Sequence, residues 1–111
     1  MTKTFIPTKE FSKNWEQLGL TDENLRTLEQ ELLNNPKAGK VIRGTGKLRK
    51  YRFALPGTGK SGSTRVCYVD FVVQETIYFI TVYSKKEKDT LSVAERNNIK
   101  KMIDALEKSL S

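Results

Sequence analysis

Residues 64–84, TRVCYVDFVVQETIYFITVYS, decide the fold, because they hold two β-prone runs with a short turn between them. The runs 64–73 and 76–84 are rich in β-branched and aromatic side chains, which predicts two strands. The second run is apolar on both faces, which is typical of an interior strand. The preceding run LRKYRFAL, residues 48–55, alternates between two sets of side chains and predicts a third strand. Short connections between the three strands indicate an antiparallel meander.

Two helices are predicted before the meander. Phe11 and Trp15 recur at helical spacing, and Gly19 ends that helix. A second helix starts at Thr21 and ends at the Asn-Pro pair, residues 35–36. Its apolar stripe consists of Leu25, Leu28, Leu32 and Leu33.

A third helix is predicted after the meander, and a short strand at residues 2–6 before Pro7. Ser92 and Glu95 form a capping-box pattern at the start of this helix. Its apolar stripe consists of Ile99, Met102, Ile103, Leu106 and Leu110. The order of strand, helix, helix, three strands and helix predicts one α+β domain, residues 1–111, with its helices on one side of the sheet.

The amino-acid totals exclude several kinds of chemistry. The chain has 111 residues, no histidine and a single cysteine, Cys67. Zinc sites and Cys–His or Ser–His nucleophiles therefore lack their usual groups, and we expect neither a metal nor another cofactor. With no possible internal disulfide, no membrane-spanning run and no secretory signal, the protein is predicted to be cytoplasmic.

The segment ALPGTGKS, residues 54–61, imitates a phosphate-binding loop with Lys60 at the lysine position. In a true loop of this kind a helix begins at the Lys-Ser pair, and its N-terminus binds the phosphates. Here β-prone residues follow from Thr64, and Ala54 stands where the first glycine is needed. The segment is therefore predicted to be a glycine-rich hairpin loop and not a nucleotide site.

The positive charge is concentrated in one segment of the chain. The formal net charge is +7, yet no acidic residue occurs from Leu32 to Val69. That segment contains nine cations: Lys37, Lys40, Arg43, Lys47, Arg49, Lys50, Arg52, Lys60 and Arg65. Solvated surfaces normally mix both signs of charge, so this segment is predicted to meet a polyanion, with nucleic acid as the leading interpretation.

An ordered set of motifs runs from Asn35 to Glu87. Its members are Asn35-Pro36, Gly-Thr-Gly-x-Leu-Arg-Lys at 44–50, Arg52, a Gly-x-Gly-Lys loop leading to Arg65, and an aromatic strand ending at Tyr83 before Ser-Lys-Lys-Glu at 84–87. The set resembles the HigB branch of the RelE/ParE toxin superfamily of bacterial type II toxin–antitoxin systems. The resemblance implies a RelE-like α+β fold and an mRNA interferase that cuts message in the ribosomal A site. It also implies a cognate antitoxin, usually with a DNA-binding helix-turn-helix, in a hetero-oligomer with the toxin.

The resemblance assigns roles to individual residues, and the expected chemistry is compatible with them. RNA cleavage without a metal uses the 2′-hydroxyl as nucleophile, so the protein must stabilise phosphorane charge and move two protons. Catalytic roles are implied for Arg65, Tyr83, Lys85 and Glu87, and RNA-binding roles for Lys47, Arg49, Lys50, Arg52 and Lys60. We expect such a basic cluster to lower the pKa of its lysines and tyrosines.

Other interpretations stay open at this stage. A ParE-like gyrase inhibitor with the same fold and a non-catalytic RNA-binding module are the alternatives to the nuclease. Glu87 is either a general base or a surface partner of Lys85 or Lys88. The remaining tyrosines, Tyr51, Tyr68 and Tyr78, and the buried Cys67 are predicted to be structural. The C-terminal helix has no aromatic residue where relatives often place a catalytic one, so the acid–base pair is not identified.

Overall fold

The computed structural model of the protein describes residues 2–55, 64–88 and 90–110. The elements in chain order are β1 (Thr4–Pro7), α1 (Lys9–Gln17), α2 (Asp22–Asn34), β2 (Lys40–Val41), β3 (Arg49–Phe53), β4 (Thr64–Phe71), β5 (Thr76–Ser84) and α3 (Val93–Leu110). The predicted α+β order is confirmed, with β2 as an additional strand. Two residues are too short to show a sequence period, so β2 had no signal of its own. None of the described helices could span a membrane.

The described strands form one sheet in the order β1-β5-β4-β3-β2. The predicted meander is confirmed, because β3, β4 and β5 pair antiparallel in sequence order. β2 extends the meander at its outer edge, and β1 pairs parallel with β5. The chain from β3 enters a strand again at Thr64 and not a helix, as the hairpin interpretation requires. Residues 56–63, which include Lys60 and the centre of the predicted hairpin loop, lie outside the described residues.

The helices cover both faces of the sheet, so the prediction that they share one side was wrong. Phe11, Trp15, Leu28 and Leu32 of α1 and α2 pack on one face. Ile99 and Ile103 of α3 pack on the other, and partly buried apolar residues of α3 join them. The physical reason is that β4 and β5 are apolar on both faces, and each apolar face has to be removed from water.

A bulge in β5 interrupts the alternation of its side chains. Cys67 pairs with Thr81 while the next residue, Tyr68, pairs with Phe79, which leaves Ile80 as an extra residue. Strict alternation would place Tyr83 on the same face as Phe79, the face under α1 and α2. The bulge turns Tyr83 instead to the face that packs against α3, which we call the α3 face. Bulges next to functional sites often redirect a side chain in this way.

Side-chain caps explain where the helices begin. The Thr8 hydroxyl accepts the amide hydrogen of Phe11, and Thr21 and Asn24 form a reciprocal capping box. The predicted box of Ser92 and Glu95 is confirmed, because each side chain accepts the other residue's backbone N–H. In the predicted stripe of α3, Met102 is the exception, since 40 % of it is exposed.

Candidate functional site

Two rows of side chains cross the α3 face of the sheet. One row consists of Arg52, Arg65 and Tyr83, which are direct partners on β3, β4 and β5. The second row consists of Lys50, Cys67 and Thr81. Residues two apart along a strand are separated by about 6.7 Å, and neighbouring strands by about 4.8 Å. Register therefore brings two arginines, a lysine and a tyrosine into one small area.

Arg65 and Tyr83 are buried with polar atoms that no described residue satisfies. Arg65 is 5 % exposed and Tyr83 is 3 % exposed. Within the described part of the chain, Nη1 of Arg65 and the hydroxyl of Tyr83 have no hydrogen-bond partner. Leaving such groups unpaired costs about 1–3 kcal/mol each, and more when the group is charged. Buried groups held unpaired at that cost mark a place where a ligand can bind.

The pKa of Tyr83 is raised, so the expectation that the basic cluster lowers it was wrong. The main cause is burial, which disfavours the phenolate; the neighbouring Cys67 thiol adds to the rise, and the Arg65 guanidinium opposes it only partly. Tyr83 is therefore a neutral phenol at physiological pH. It can donate a proton or a hydrogen bond, whereas its buried ring does not offer a face on which a base could stack.

Lys88 and Glu95 cover Tyr83. The Nζ atom of Lys88 lies 5.1 Å from the centroid of the Tyr83 ring and 2.5 Å from Oε2 of Glu95. The pKa of Glu95 is lowered, first by the hydrogen bond from Lys88 and then by the backbone bond from Ser92. The ion pair thus holds the Lys88 side chain over the Tyr83 ring. Sequence reasoning did not assign Lys88 a role in the site, because its contact with Tyr83 depends on the fold of this segment.

Cys67, the middle residue of the second row, is a buried free thiol. Burial raises the pKa of its thiol to about 12, although Lys50 and Lys88 both act to lower it. These two ammonium groups therefore come close enough to influence the same buried sulfur. The prediction that Cys67 is a buried structural residue is confirmed.

Arg49 lies on the opposite face from Arg65 and makes structural contacts. Its direct partner is Tyr68, a residue of the cluster under α1 and α2. Its Nη1 donates to the carbonyl oxygen of Gly39 at 2.7 Å. The Tyr68 hydroxyl donates to the carbonyl of Pro36 at 2.7 Å and accepts the amide hydrogen of Gly39 at 3.0 Å. Arg49 and Tyr68 together hold the connection from α2 to β2.

Lys47 also lies away from the two rows. It forms an ion pair with Glu107 of α3, and its Nζ is 5.9 Å from the centroid of the Phe71 ring. Five residues separate it from Arg52, which is about 16 Å along extended chain.

Lys85 and Glu87 lie in the exposed turn that follows β5. Oε1 of Glu87 accepts the backbone N–H of Ser84 at 3.2 Å, so its carboxylate caps the turn. Its proposed surface partner Lys88 pairs with Glu95 instead. Tyr83, Glu87 and Lys88 nevertheless border one groove of about 370 Å³, whose other wall is α1. Glu87 therefore borders the same groove as the Tyr83 phenol, but no contact among the described residues directs its carboxylate toward that phenol.

The other tyrosines are structural, as predicted. Tyr68 is fully buried, and Tyr78 makes an edge contact with Phe71 at a centroid distance of 5.9 Å. Tyr51 hydrogen-bonds to Glu31, and burial together with this carboxylate raises the pKa of its phenol. In residues 2–55, 64–88 and 90–110, no cluster of histidine, cysteine, aspartate or glutamate could hold a metal ion.

Comparison with known proteins gives one matching family model and structures with the same fold. The family model described as RelE toxin of the RelE/RelB toxin–antitoxin system matches residues 2–110. The crystal structure of the intact E. coli RelBE toxin–antitoxin complex contains a chain 22 % identical, with a TM-score of 0.54 over 75 % of this chain and 96 % of that chain. A double arginine-to-alanine mutant of E. coli RelE in the free state is 19 % identical, with a TM-score of 0.54 over 80 % and 90 %. These two structures share the fold of this protein. Since the family model spans nearly the whole chain, the protein belongs to the RelE toxin family.

Proposed function

We propose that the protein is a ribosome-dependent mRNA endoribonuclease of the HigB branch, acting as one domain of residues 1–111 in the cytoplasm. One observation supports this most strongly: Arg65 and Tyr83 are buried cross-strand partners, and no described residue hydrogen-bonds to the Arg65 Nη1 or, through oxygen or nitrogen, to the Tyr83 hydroxyl. A guanidinium fork matches phosphoryl oxygens, and a neutral phenol matches a site that needs a proton donor. A gyrase inhibitor without nuclease chemistry has no need for either group in this state.

In the proposed reaction the message supplies its own nucleophile. The 2′-oxygen attacks the adjacent phosphorus, the bond from phosphorus to the 5′-oxygen breaks, and the products are a 2′,3′-cyclic phosphate and a 5′-hydroxyl. Arg65 stabilises the added charge on the phosphorane, and Arg52 and Lys50 bind flanking phosphate oxygens. Tyr83 donates its proton to the departing 5′-oxygen. The proton of the 2′-hydroxyl passes to a base for which Glu87 and Lys85 remain the proposed residues.

Access to Arg65 and Tyr83 requires the covering segment to move. Lys88 lies over the Tyr83 ring and is held by Glu95 in α3. A phosphate entering the site offers Lys88 a second anion, which compensates for the loss of its carboxylate partner. Substrate binding is therefore proposed to break the ion pair and open the segment between β5 and α3.

The proposed partners are those of a toxin–antitoxin system. A cognate antitoxin with a DNA-binding helix-turn-helix would neutralise the protein by covering its basic surface with acidic or amphipathic segments. The family model and the fold shared with RelE in its complex with RelB support a hetero-oligomer of this kind. Lys60, in the loop 56–63, is proposed as a further phosphate contact.

The test is Arg65→Ala on ribosomes carrying a defined message, with cut sites mapped by primer extension. Loss of one preorganised charge donor is expected to lower the cleavage rate about 100- to 1000-fold. Arg65→Lys keeps the charge but loses the fork, so it should restore only part of the rate. Lys13→Ala, an exposed cation on α1, is the matched control and should cut at the wild-type rate.

Folding is checked for each variant by circular dichroism and urea unfolding. Wild-type protein that leaves the message intact but inhibits gyrase supercoiling would establish the ParE-like alternative. Salt-sensitive RNA binding with no cleaved product would establish the non-catalytic one.

A further inference from the structure

Two cross-strand pairs on the α3 face consist of like charges. Lys40 of β2 is the direct partner of Lys50 on β3, and Arg52 of β3 is the direct partner of Arg65 on β4. Side chains at such positions have Cβ atoms about 4.5–5.5 Å apart, and like charges there destabilise a sheet. Because Lys50 and Arg52 are two residues apart on one strand, all four cations share one face.

The protein supplies no anion to these pairs within the residues that the structure describes. The ion pairs found there join Lys3 to Asp70, Lys47 to Glu107 and Lys88 to Glu95. The sequence has no acidic residue between Leu32 and Val69, so neither β2 nor β3 can provide one. Since none of these ion pairs involves Lys40, Lys50, Arg52 or Arg65, an anion from outside the chain would relieve the repulsion between them.

We infer that Lys40 is a substrate-binding residue, and that Lys40, Lys50, Arg52 and Arg65 form a path for the backbone of single-stranded RNA from the scissile phosphate to the β2 edge. This inference rests on the proposed ribonuclease function and extends it. Lys40 contacts a phosphate outside the nucleotides that react. We call these four cations the phosphate path.

The dimensions of the phosphate path suit a strand of RNA. Two strand spacings and a two-residue step along β3 separate the backbones at Arg65 and Lys40 by about 12 Å, which is more than one phosphate can bridge. Only the scissile end of the path is buried: Arg65 is buried, Lys50 is half-buried, and Arg52 and Lys40 are exposed. β2 is the last strand of the described sheet, so an RNA chain can leave over its edge.

The opposite face of the sheet holds the outer end of the path in place. Gly39, directly before Lys40, packs so closely that a Cβ there would lie 3.0 Å from the Lys50 backbone and from the Tyr68 ring. Its carbonyl accepts from Arg49 and its N–H donates to the Tyr68 hydroxyl. Arg49 is thus a positioning residue for Lys40, although it lies on the face away from the RNA.

The test measures RNA binding against salt with two 2′-O-methyl oligonucleotides, which cannot be cut because they lack a free 2′-hydroxyl. One is short enough to contact Arg65 and Arg52 only, and the other is long enough to reach the β2 edge. For wild-type protein the longer one should bind more tightly and show the steeper salt dependence. Lys40→Ala should lower that slope by about 0.7, the value for one lost phosphate contact on a single strand. It should also remove the gain in affinity from the added length.

Companion variants separate the phosphate path from general charge and from folding. Lys40→Arg should keep the wild-type slope, and Lys13→Ala, which removes the same charge from α1, should leave it unchanged. Lys40→Ala should unfold at the same or a higher urea concentration than wild type, because it relieves repulsion with Lys50. A residue with a purely structural role would not combine weaker RNA binding with unchanged or greater stability.

Two results would overturn the inference, and they are distinguishable. If Arg52→Ala lowers the slope and Lys40→Ala does not, RNA binds at the site but does not follow the path to β2. If wild-type protein cuts message on ribosomes but shows no salt-dependent binding to either oligonucleotide, the path fails and the proposed function stands; if it neither binds nor cuts, both fail.

Discussion

The face of the sheet under α1 and α2 differs from the face under α3 in how its polar groups are satisfied. On the first face, rings stack in a continuous series, with centroids 4.8 Å apart for Phe11 and Phe79 and 6.0 Å apart for Trp15 and Phe53. Their polar neighbours are paired: the indole N–H of Trp15 donates to the carbonyl of Thr21 at 3.1 Å. This face contributes packing and fixed geometry.

The α3 face, unlike the first face, holds polar and charged groups in energetically unfavourable arrangements. It contains the Arg65 Nη1 and the Tyr83 hydroxyl, which have no oxygen or nitrogen partner in the described part of the chain, and two like-charge pairs cross it. Folded proteins retain such unpaired groups and like-charge pairs at sites where a bound ligand satisfies them. Both faces bury an apolar cluster, and the difference teaches that the groups proposed to bind a ligand are confined to the α3 face.

The largest expected contrast comes from the same substitution on the two faces. Tyr68→Phe leaves the buried N–H of Gly39 and the carbonyl of Pro36 unpaired, so the free energy of unfolding should fall by about 1–3 kcal/mol. Tyr83→Phe removes a hydroxyl that has no oxygen or nitrogen partner among the described residues and only a weak contact with the Cys67 thiol, so stability should change little, while message cleavage falls. Urea unfolding and primer extension on the two variants measure both effects. A stability loss for Tyr83→Phe equal to that for Tyr68→Phe would contradict the assignment of the two faces.

A smaller contrast is expected from two arginines of β3. Arg49→Ala removes the hydrogen bond to the carbonyl of Gly39 and should lower the free energy of unfolding. Hydrogen bonds to charged groups contribute about 1.5–3 kcal/mol when buried, and the loss should be smaller at this partly exposed position. Arg52→Ala removes one member of a like-charge pair and should not lower stability, but it should weaken oligonucleotide binding. Arg49→Ala should therefore be the less stable of the two variants in urea unfolding, and Arg52→Ala should be the weaker of the two in RNA binding. Equal behaviour in both assays would mean that the faces do not divide these roles.

The smallest effect concerns the ion pair that covers Tyr83. The folded-state pKa of Glu95 is lowered below its ordinary value of 4.5. A lowered carboxyl pKa contributes stability above the unfolded-state value, and this stability is lost as the pH falls from about 4.5 through the folded pKa. Because the pair is 36–40 % exposed, the contribution is a few tenths of a kcal/mol.

Glu95→Gln should remove this part of the acid dependence, measured as urea midpoints across the acid range. Asp104→Asn, on an exposed position of the same helix, is the control and should retain it. An unchanged acid dependence in Glu95→Gln would show that Lys88 is not held by Glu95 in solution.

Most of the fold could be predicted because its signals are local. Helix starts at Thr8, Thr21 and Ser92 follow from side chains that cap their own backbone, and β5 covers the residues that its composition indicated. The placement of the helices could not be predicted from the same signals. An apolar stripe shows that a helix is covered, but not which face of the sheet covers it.

The candidate site was predictable in composition more than in arrangement. The acid-free segment pointed to a polyanion, and alternation in β3 separated Lys50 and Arg52 from Arg49 and Tyr51. Which of these two sets faced Arg65 depended on strand register. The proposed role of Lys40 and the position of Lys88 over Tyr83 depend on contacts between segments distant in sequence, and no local pattern indicates such contacts.

By itself, the sequence determined the elements, the basic segment and the absence of histidine chemistry, because each depends only on neighbouring residues or on composition. The tertiary structure decided that Tyr83 meets Arg65, since the extra residue Ile80 in β5 reverses the direction of every side chain after it. It also decided that this tyrosine stays a neutral phenol. Burial is a property of the packed fold, and here its effect on the phenol pKa exceeds that of the neighbouring positive charge.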